Sequence, residues 1–241
     1  MKRLATNEEL ETLGNLRVRE YLRQSHKWNA KCFDIEAFIT DYLKAAIVFE
    51  AFAEEDAGKT GFCANGCDAL TVLRDGKEEA VVFPKDTIVI EKYFLNEDQS
   101  AKRRFTEAHE AAHVILARHI PGQTAAAFHS EFDSSREYDP EEMKRIFSLE
   151  ESQADRLGAV LLMPQYHVER ALKKYNGGRR FIRYEGGIFG QESKFGMQNM
   201  ADCLGASYSA LVNRLNDLGL FEEHPITEYL EQGLGFGGGT R

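Results

Sequence analysis

The sequence lacks most of what would place it in a specialised class. It has four cysteines in 241 residues (Cys32, Cys63, Cys67 and Cys203), too few and too scattered for a secreted disulfide framework. It has no apolar run long enough to span a bilayer; the best stretch, Ala45 to Ala53, is short and broken by Glu50. Nor is there a leader pattern, because Asn7, Glu8, Glu9 and Glu11 stand where an apolar segment would have to follow Lys2 and Arg3. Positive charge is in deficit, with a formal net charge of −9. That balance disfavours broad binding to nucleic acid or to an anionic membrane, both of which need a positive field. There is no internal repeat and no clear linker. These absences describe a globular, cytoplasmic protein that is not membrane-bound, for which direct DNA binding is not expected.

What is present reads as α+β. A helical pattern runs from Asn7 to about Ser25, with Leu10, Leu13, Leu16 and Leu22 near helical spacing. Asp34 is a good N-cap for a second helix carrying Ile35, Phe38, Ile39, Tyr42 and Leu43. A β-rich stretch follows. Ala46 to Phe52 is rich in β-formers. Ala69–Leu73 and Ala80–Phe83 flank Arg74-Asp75-Gly76-Lys77, a hairpin signal, and Thr87 to Ile90 reads as one more strand. Gly58 to Gly66 reads as a loop between strands. Asn96-Glu97-Asp98-Gln99 resembles a capping box for a helix running to about His119.

Past Pro121-Gly122 the segment from Ala125 to Asp139 is polar and irregular, and Pro140-Glu141-Glu142 suits a new helix start. Further helices are expected from Leu149 to Met163-Pro164 and on to Tyr175, then a Gly-rich loop to Gly196, then two short helices around Gly205-Ala206-Ser207. The expected organisation is an N-terminal helical extension (1–30), a central α+β domain (31–175), a helix-turn-helix-like subdomain (176–232) and a disordered Gly-rich tail (233–241). The expected architecture is a small mixed sheet packed on the helix that runs to about His119, with a mainly helical C-terminal half.

The chemistry sits in His109-Glu110-Ala111-Ala112-His113. Residues four apart on a helix share a face, so two imidazoles there can hold one Zn²⁺. Glu110 projects about 100° around the helix from His109. That puts it beside the metal, where it can take a proton from a metal-bound water. The competing reading is a pair of solvated histidines on an amphipathic helix. A catalytic site also needs a third protein ligand and an open position. Glu151, in Glu151-Ser152-Gln153-Ala154-Asp155, is the candidate, and the adjacent Glu150 leaves that choice open by one residue. Asp155, one turn on from Glu151, is placed to accept the free N–H of a ligand imidazole and fix its tautomer.

The run Arg104-Phe105-Thr106-Glu107-Ala108-His109-Glu110-Ala111-Ala112-His113, followed by Glu151-Ser152-Gln153-Ala154-Asp155 and Leu161-Leu162-Met163-Pro164, resembles the ImmA/IrrE family of metallo-endopeptidases. The likeness reaches from Asp34 to Phe221, weakly at its flanks. It implies a zincin-like metallopeptidase domain over residues 31–175, with the helix of His109 as its active-site helix, one Zn²⁺ per chain on His109, His113 and Glu151, and Glu110 as general base. It also implies a protein substrate, a helix-turn-helix transcriptional repressor. Many members of the family carry Gly at the position of Ala112, which implies slightly looser packing of this helix here.

The remaining features are weaker. Cys63 and Cys67 lack a partner pair for a structural metal. Met200 to Leu218 has helix-turn-helix shape, but its second helix offers one base, Arg214, beside Asp217. His119, His129 and His167 are surface or hydrogen-bonded histidines by default. Thr87, Ile88, Val89 and Ile90 are expected to offer a free strand edge to an extended substrate. The alternatives to a peptidase are a metal-stabilised binding protein with little turnover, a regulator associated with a toxin–antitoxin pair, and a DNA-binding regulator.

Overall fold

The computed structural model describes residues 5–27, 32–53, 59–119, 127–130, 141 and 148–233. The chain divides into two compact units, Met1–Pro164 and Gln165–Arg241. The sequence expectation ends its first large domain eleven residues later, at 175. The helix that follows Pro164 belongs instead with the second unit, because it packs on a helix of that unit.

The first unit opens with α1 (Asn7–Ser25). Thr6 and Glu9 form a reciprocal capping box: the Glu9 amide donates to Thr6 Oγ1 at 3.2 Å and the Thr6 amide to Glu9 Oε2 at 2.9 Å. Leu10, Val18, Tyr21 and Leu22 are buried along one stripe. Asp34 caps α2 (Ile35–Ala37), accepting from the Ala37 amide at 3.1 Å, and a π-helical turn, Phe38–Tyr42, continues it. Tyr21, Phe33, Phe38 and Tyr42 pack their rings together and join α1 to this turn.

The strands are β1 (Ala46–Glu50), β2 (Lys59–Cys63), β3 (Ala69–Arg74), β4 (Lys77–Val82), β5 (Thr87–Glu91) and β6 (Ala127–Ser130). Four of them form a sheet in the order β1-β5-β2-β6, with β1 parallel to β5 and the other pairs antiparallel. The expected hairpin is present as β3–β4. Asp75 (φ 50°) and Gly76 (φ 73°) make the tight turn, both in the left-handed region that matches strand twist. Alternation along β2 and β5 sorts their side chains between two layers. Phe62, Ala64 and Val89 join Leu70, Val72 and Phe83 in a core between the sheet and the hairpin. Gly61, the neighbour of Phe62, lies against the opposite layer, where α3 (Ser100–His119) packs across β2 and β5. Helix α4 (Leu149–Leu162) packs on α3 and on α1. Residues 1–30 are thus no extension, since α1 is one wall of this unit.

Two local readings are corrected. Within the segment 58–66 that was expected to be a loop, Lys59–Cys63 is β2, an interior strand of the sheet. Its glycine content masked the run Thr60-Gly61-Phe62-Cys63. Asn96 makes no side-chain cap; Lys92–Leu95 and Glu97–Gln99 are two short 3-10 turns leading into α3. The helix expected from Pro140 falls almost entirely outside the described residues, and the tail beyond Gly233 does so wholly.

The second unit comprises α5 (Gln165–Asn176), β7 (Phe181–Tyr184), α6 (Gln191–Leu204), α7 (Tyr208–Asp217), β8 (Phe221–His224) and α8 (Ile226–Gly233). Strands β7 and β8 pair in parallel, so the Gly-rich stretch before Gly196 contains a strand and the start of a helix where a loop was expected. Gly205, at φ 65°, ends α6, and Ser207 Oγ accepts from the Ala210 amide at 3.2 Å to start α7. Across the whole chain the architecture is mixed α+β with small sheets. Among the described residues no helix is long and apolar enough to cross a membrane.

Candidate metal centre

Helix α3 supplies three of the relevant side chains and α4 the other two. The i, i+4 spacing puts His109 and His113 on one face, with ring centroids 4.8 Å apart. Glu151, Asp155 and Gly158 form a stripe at i, i+4 and i+7 along α4, and that stripe faces α3. Gly158 fixes how close the helices come. A Cβ there would stand 3.0 Å from the His109 amide nitrogen, 3.1 Å from its Cα and 3.2 Å from the Ala108 carbonyl carbon. The bare α-carbon therefore lets α4 rest on the backbone of α3 at the first histidine. Ala112, where a looser fit was expected, does not prevent this contact.

The result is a convergent donor set. His109 Nε2 and His113 Nε2 are 3.0 Å apart. Glu151 Oε2 is 3.1 Å from the former, and Glu151 Oε1 is 3.5 Å from the latter. A tetrahedral ion bonded at about 2.0–2.1 Å separates its ligand atoms by roughly 3.3–3.4 Å, so these spacings fit a small cation. His109, His113 and Glu151 form the one group of this kind among the described residues; Glu150 does not belong to it. His109 is fully buried and His113 is 6% exposed, which would shield a bound ion from water on the helix side. The group could therefore hold a metal ion. Asp155 Oδ1 lies 2.8 Å from His109 Nδ1, so that nitrogen donates to it and Nε2 is directed at the cluster.

Electrostatics agree with the geometry. Burial disfavours a charged His109, but the carboxylates of Asp155 and Glu151 outweigh it and push the imidazole up to about 10. Burial holds His113 below its ordinary value. Burial works against an ionised Glu151, yet its hydrogen bonds to the two histidines carry it well below the usual carboxylate range. A proton can bridge only one pair of these atoms, whereas a metal engages all three at once. Metal binding would displace that proton.

Glu110 is separate from the donor set. It is fully buried, and neither carboxylate oxygen has a hydrogen-bond partner among the described residues. Burial pushes it up to about 8, with His109 pulling down and the charges of Glu151 and Asp155 pushing up. A carboxylate kept free of donors is a strong base.

The other candidates fall elsewhere. Thr87, Ile88, Val89 and Ile90 are buried, and β5 is hydrogen-bonded to β1 on one side and β2 on the other. The free edge expected there does not exist; among the described residues the sheet ends at β1 and β6. Cys63 is buried in β2 while Cys67 is exposed in the following turn, and no disulfide joins any of the four cysteines. His119 receives a hydrogen bond from Arg17 and pairs with the Ile115 carbonyl oxygen at 2.8 Å, which makes it part of the joint between α1 and α3. The backbone of His129 pairs with Gly61. His167 lies in the second unit. There Arg214 is fully buried, so the exposed positions of α7 include Asn213, Asn216 and Asp217 but no base.

Gly61 and Gly158 are the site-shaping residues that the sequence reading passed over. The available signal was a lone glycine interrupting an otherwise regular strand or helix pattern. Neither protein-family models nor curated proteins give a match to this chain.

Proposed function

We propose that this protein is a zinc-dependent endopeptidase of zincin-like design. One observation carries the reading: two imidazoles and a carboxylate converge on a point beside a buried, donor-free glutamate of the same helix. A protein that merely binds a metal has no need of a base at that position. Zinc held by His109, His113 and Glu151 would supply a Lewis acid that polarises the scissile carbonyl and lowers the pKa of its bound water to about 7. Glu110 accepts the proton from the attacking water and passes it to the leaving amine. Asp155 holds His109 in the required tautomer.

A protein substrate would enter as an extended strand. Since β5 is closed on both sides, β6 is, among the described residues, the sheet edge beside α3 that remains to receive it. The resemblance to metallo-endopeptidases that cleave helix-turn-helix repressors makes such a repressor the substrate of choice. The buried Arg214 and the acidic balance favour a peptidase working in the cytoplasm over a DNA reader.

The test incubates the zinc-loaded chain with a repressor encoded beside its gene and, separately, with unfolded casein. One cut in the repressor, absent in Glu110→Gln, supports the reading. Many cuts in casein with the repressor intact would show a general peptidase. No cleavage of either, with zinc fully bound, would favour a metal-stabilised binding protein.

A further inference from the structure

Strand β2 meets helix α3 at a residue with no side chain. A Cβ built on Gly61 would lie 2.7 Å from the Thr106 Cγ2 methyl and 3.0 Å from Glu110 Cδ, and would overlap Glu110 Oε1. Gly61 does not have the positive φ that makes glycine necessary at Gly66 or Gly76. Its backbone conformation is open to any residue, so what glycine provides here is space. The β2–β6 register also slips between Lys59 and Gly61, a bulge that puts an irregularity in the strand at this contact. The Glu110 carboxylate thus rests on a bare α-carbon, flanked by the Thr106 methyl and with no hydrogen-bond donor on either oxygen among the described residues.

We propose that Gly61 is the positioning residue for Glu110: its missing side chain makes the slot that holds the carboxylate beside the His109–His113–Glu151 group. Any larger residue would push the carboxylate out of line with the reacting water. Serine or threonine would also bring a donor and blunt the base. This proposal rests on the hydrolase reading of the site. The three atoms nearest a Cβ on Gly61 belong to Thr106 and Glu110 and to none of the three candidate ligands, so it acts on the base first.

The test uses the full zinc-loaded chain and acetohydroxamate. This probe chelates a metal through two oxygens and donates a hydrogen bond to a neighbouring carboxylate, so it reads where Glu110 sits without any turnover. Gly61→Ala should keep one zinc per chain, with an affinity within about twofold of wild type. It should bind acetohydroxamate about tenfold more weakly, the loss of one charge-assisted hydrogen bond. In a Glu110→Gln background the same substitution should weaken the probe no further, because the group through which it acts is gone. Where a substrate is cleaved, kcat should fall with KM unchanged. If Gly61→Ala does not fold, Gly61→Ala/Thr106→Ala gives the new Cβ room and takes its place in the same measurements. An unchanged acetohydroxamate affinity, or an equal loss in the Glu110→Gln background, would overturn the proposal. So would a loss of zinc, which would make Gly61 a residue of the ligand frame. A wild type that binds acetohydroxamate with this 61–110 coupling but cleaves nothing would refute the hydrolase reading and leave the positioning intact. A zinc-loaded wild type that binds no acetohydroxamate would refute both.

Discussion

Replacing Gly158 by alanine sets two known effects against each other. In a helix interior, Gly→Ala ordinarily stabilises by about 1 kcal/mol, because glycine loses more backbone freedom on folding. Here the new methyl would meet three backbone atoms of α3 at 3.0, 3.1 and 3.2 Å. A backbone cannot rotate aside as a side chain can, so α4 has to move by a few tenths of an ångström. Overpacking of this kind costs about 1–3 kcal/mol. The expected net change in metal-free protein is a destabilisation of about 0–2 kcal/mol. The same shift carries Glu151 and Asp155, which stand on the same stripe, away from the histidines. Zinc affinity should fall about tenfold, the lower end of what displaced metal-supporting groups cost. Urea melts of the metal-free protein measure the first quantity, and competition with a calibrated chelator the second. A variant about 1 kcal/mol more stable than wild type, with undiminished zinc affinity, would refute the idea that this glycine sets the distance between the helices.

Further outcomes follow from the same geometry. His109→Ala, His113→Ala and Glu151→Ala should each lower zinc below one per chain by elemental analysis, and full zinc in Glu151→Ala would transfer the ligand role to Glu150. Asp155→Ala should weaken zinc affinity about 10–100-fold without abolishing binding, as measured by chelator competition. His167 is fully buried with neither ring nitrogen hydrogen-bonded among the described residues, and burial with help from Arg170 lowers it to about 4. Its pKa is depressed on folding, so its contribution is intact above pH 6.5 and is lost as pH falls towards 4. Wild type should lose about 2 kcal/mol more than His167→Gln between pH 7 and pH 5 in urea melts, and equal losses would put water or another partner on that ring.

The parts of this fold legible in the sequence are those where a local rule and the tertiary structure agree. The i, i+4 pair His109 and His113, the turn at Asp75-Gly76, the cap at Ser207 and the stripe holding Glu151 and Asp155 each follow from spacing or from turn chemistry within a few residues. The misread strands share a cause: non-local pairing. Thr87 to Ile90 looked free because nothing within it reveals that β1 and β2 occupy both of its sides. β2 looked like a loop because Gly61 answers to Glu110 across the packed layers, and not to its neighbours in the chain. Parallel partners far apart in sequence, such as β7 and β8, leave no local mark either.

The seat of α1 against α4 has a consequence for how the chain is made. Gln153 Nε2 donates to the Ala5 carbonyl oxygen at 2.8 Å, across 148 residues of sequence. Gly14 lies so near α4 that a Cβ on it would come within 2.5 Å of Val160 Cγ1. On the ribosome α1 emerges well ahead of α4, and the helix that covers it is the last element of its unit to appear. Until then Leu10, Val18 and Leu22 have no native surface to bury against on that side. Contacts of such long range close slowly. The first unit therefore cannot finish folding before about residue 164 is out of the tunnel, and Glu151 joins the histidines in that same final step. A nascent chain stalled short of α4 would present an exposed apolar helix and an incomplete metal group, a natural client for a chaperone.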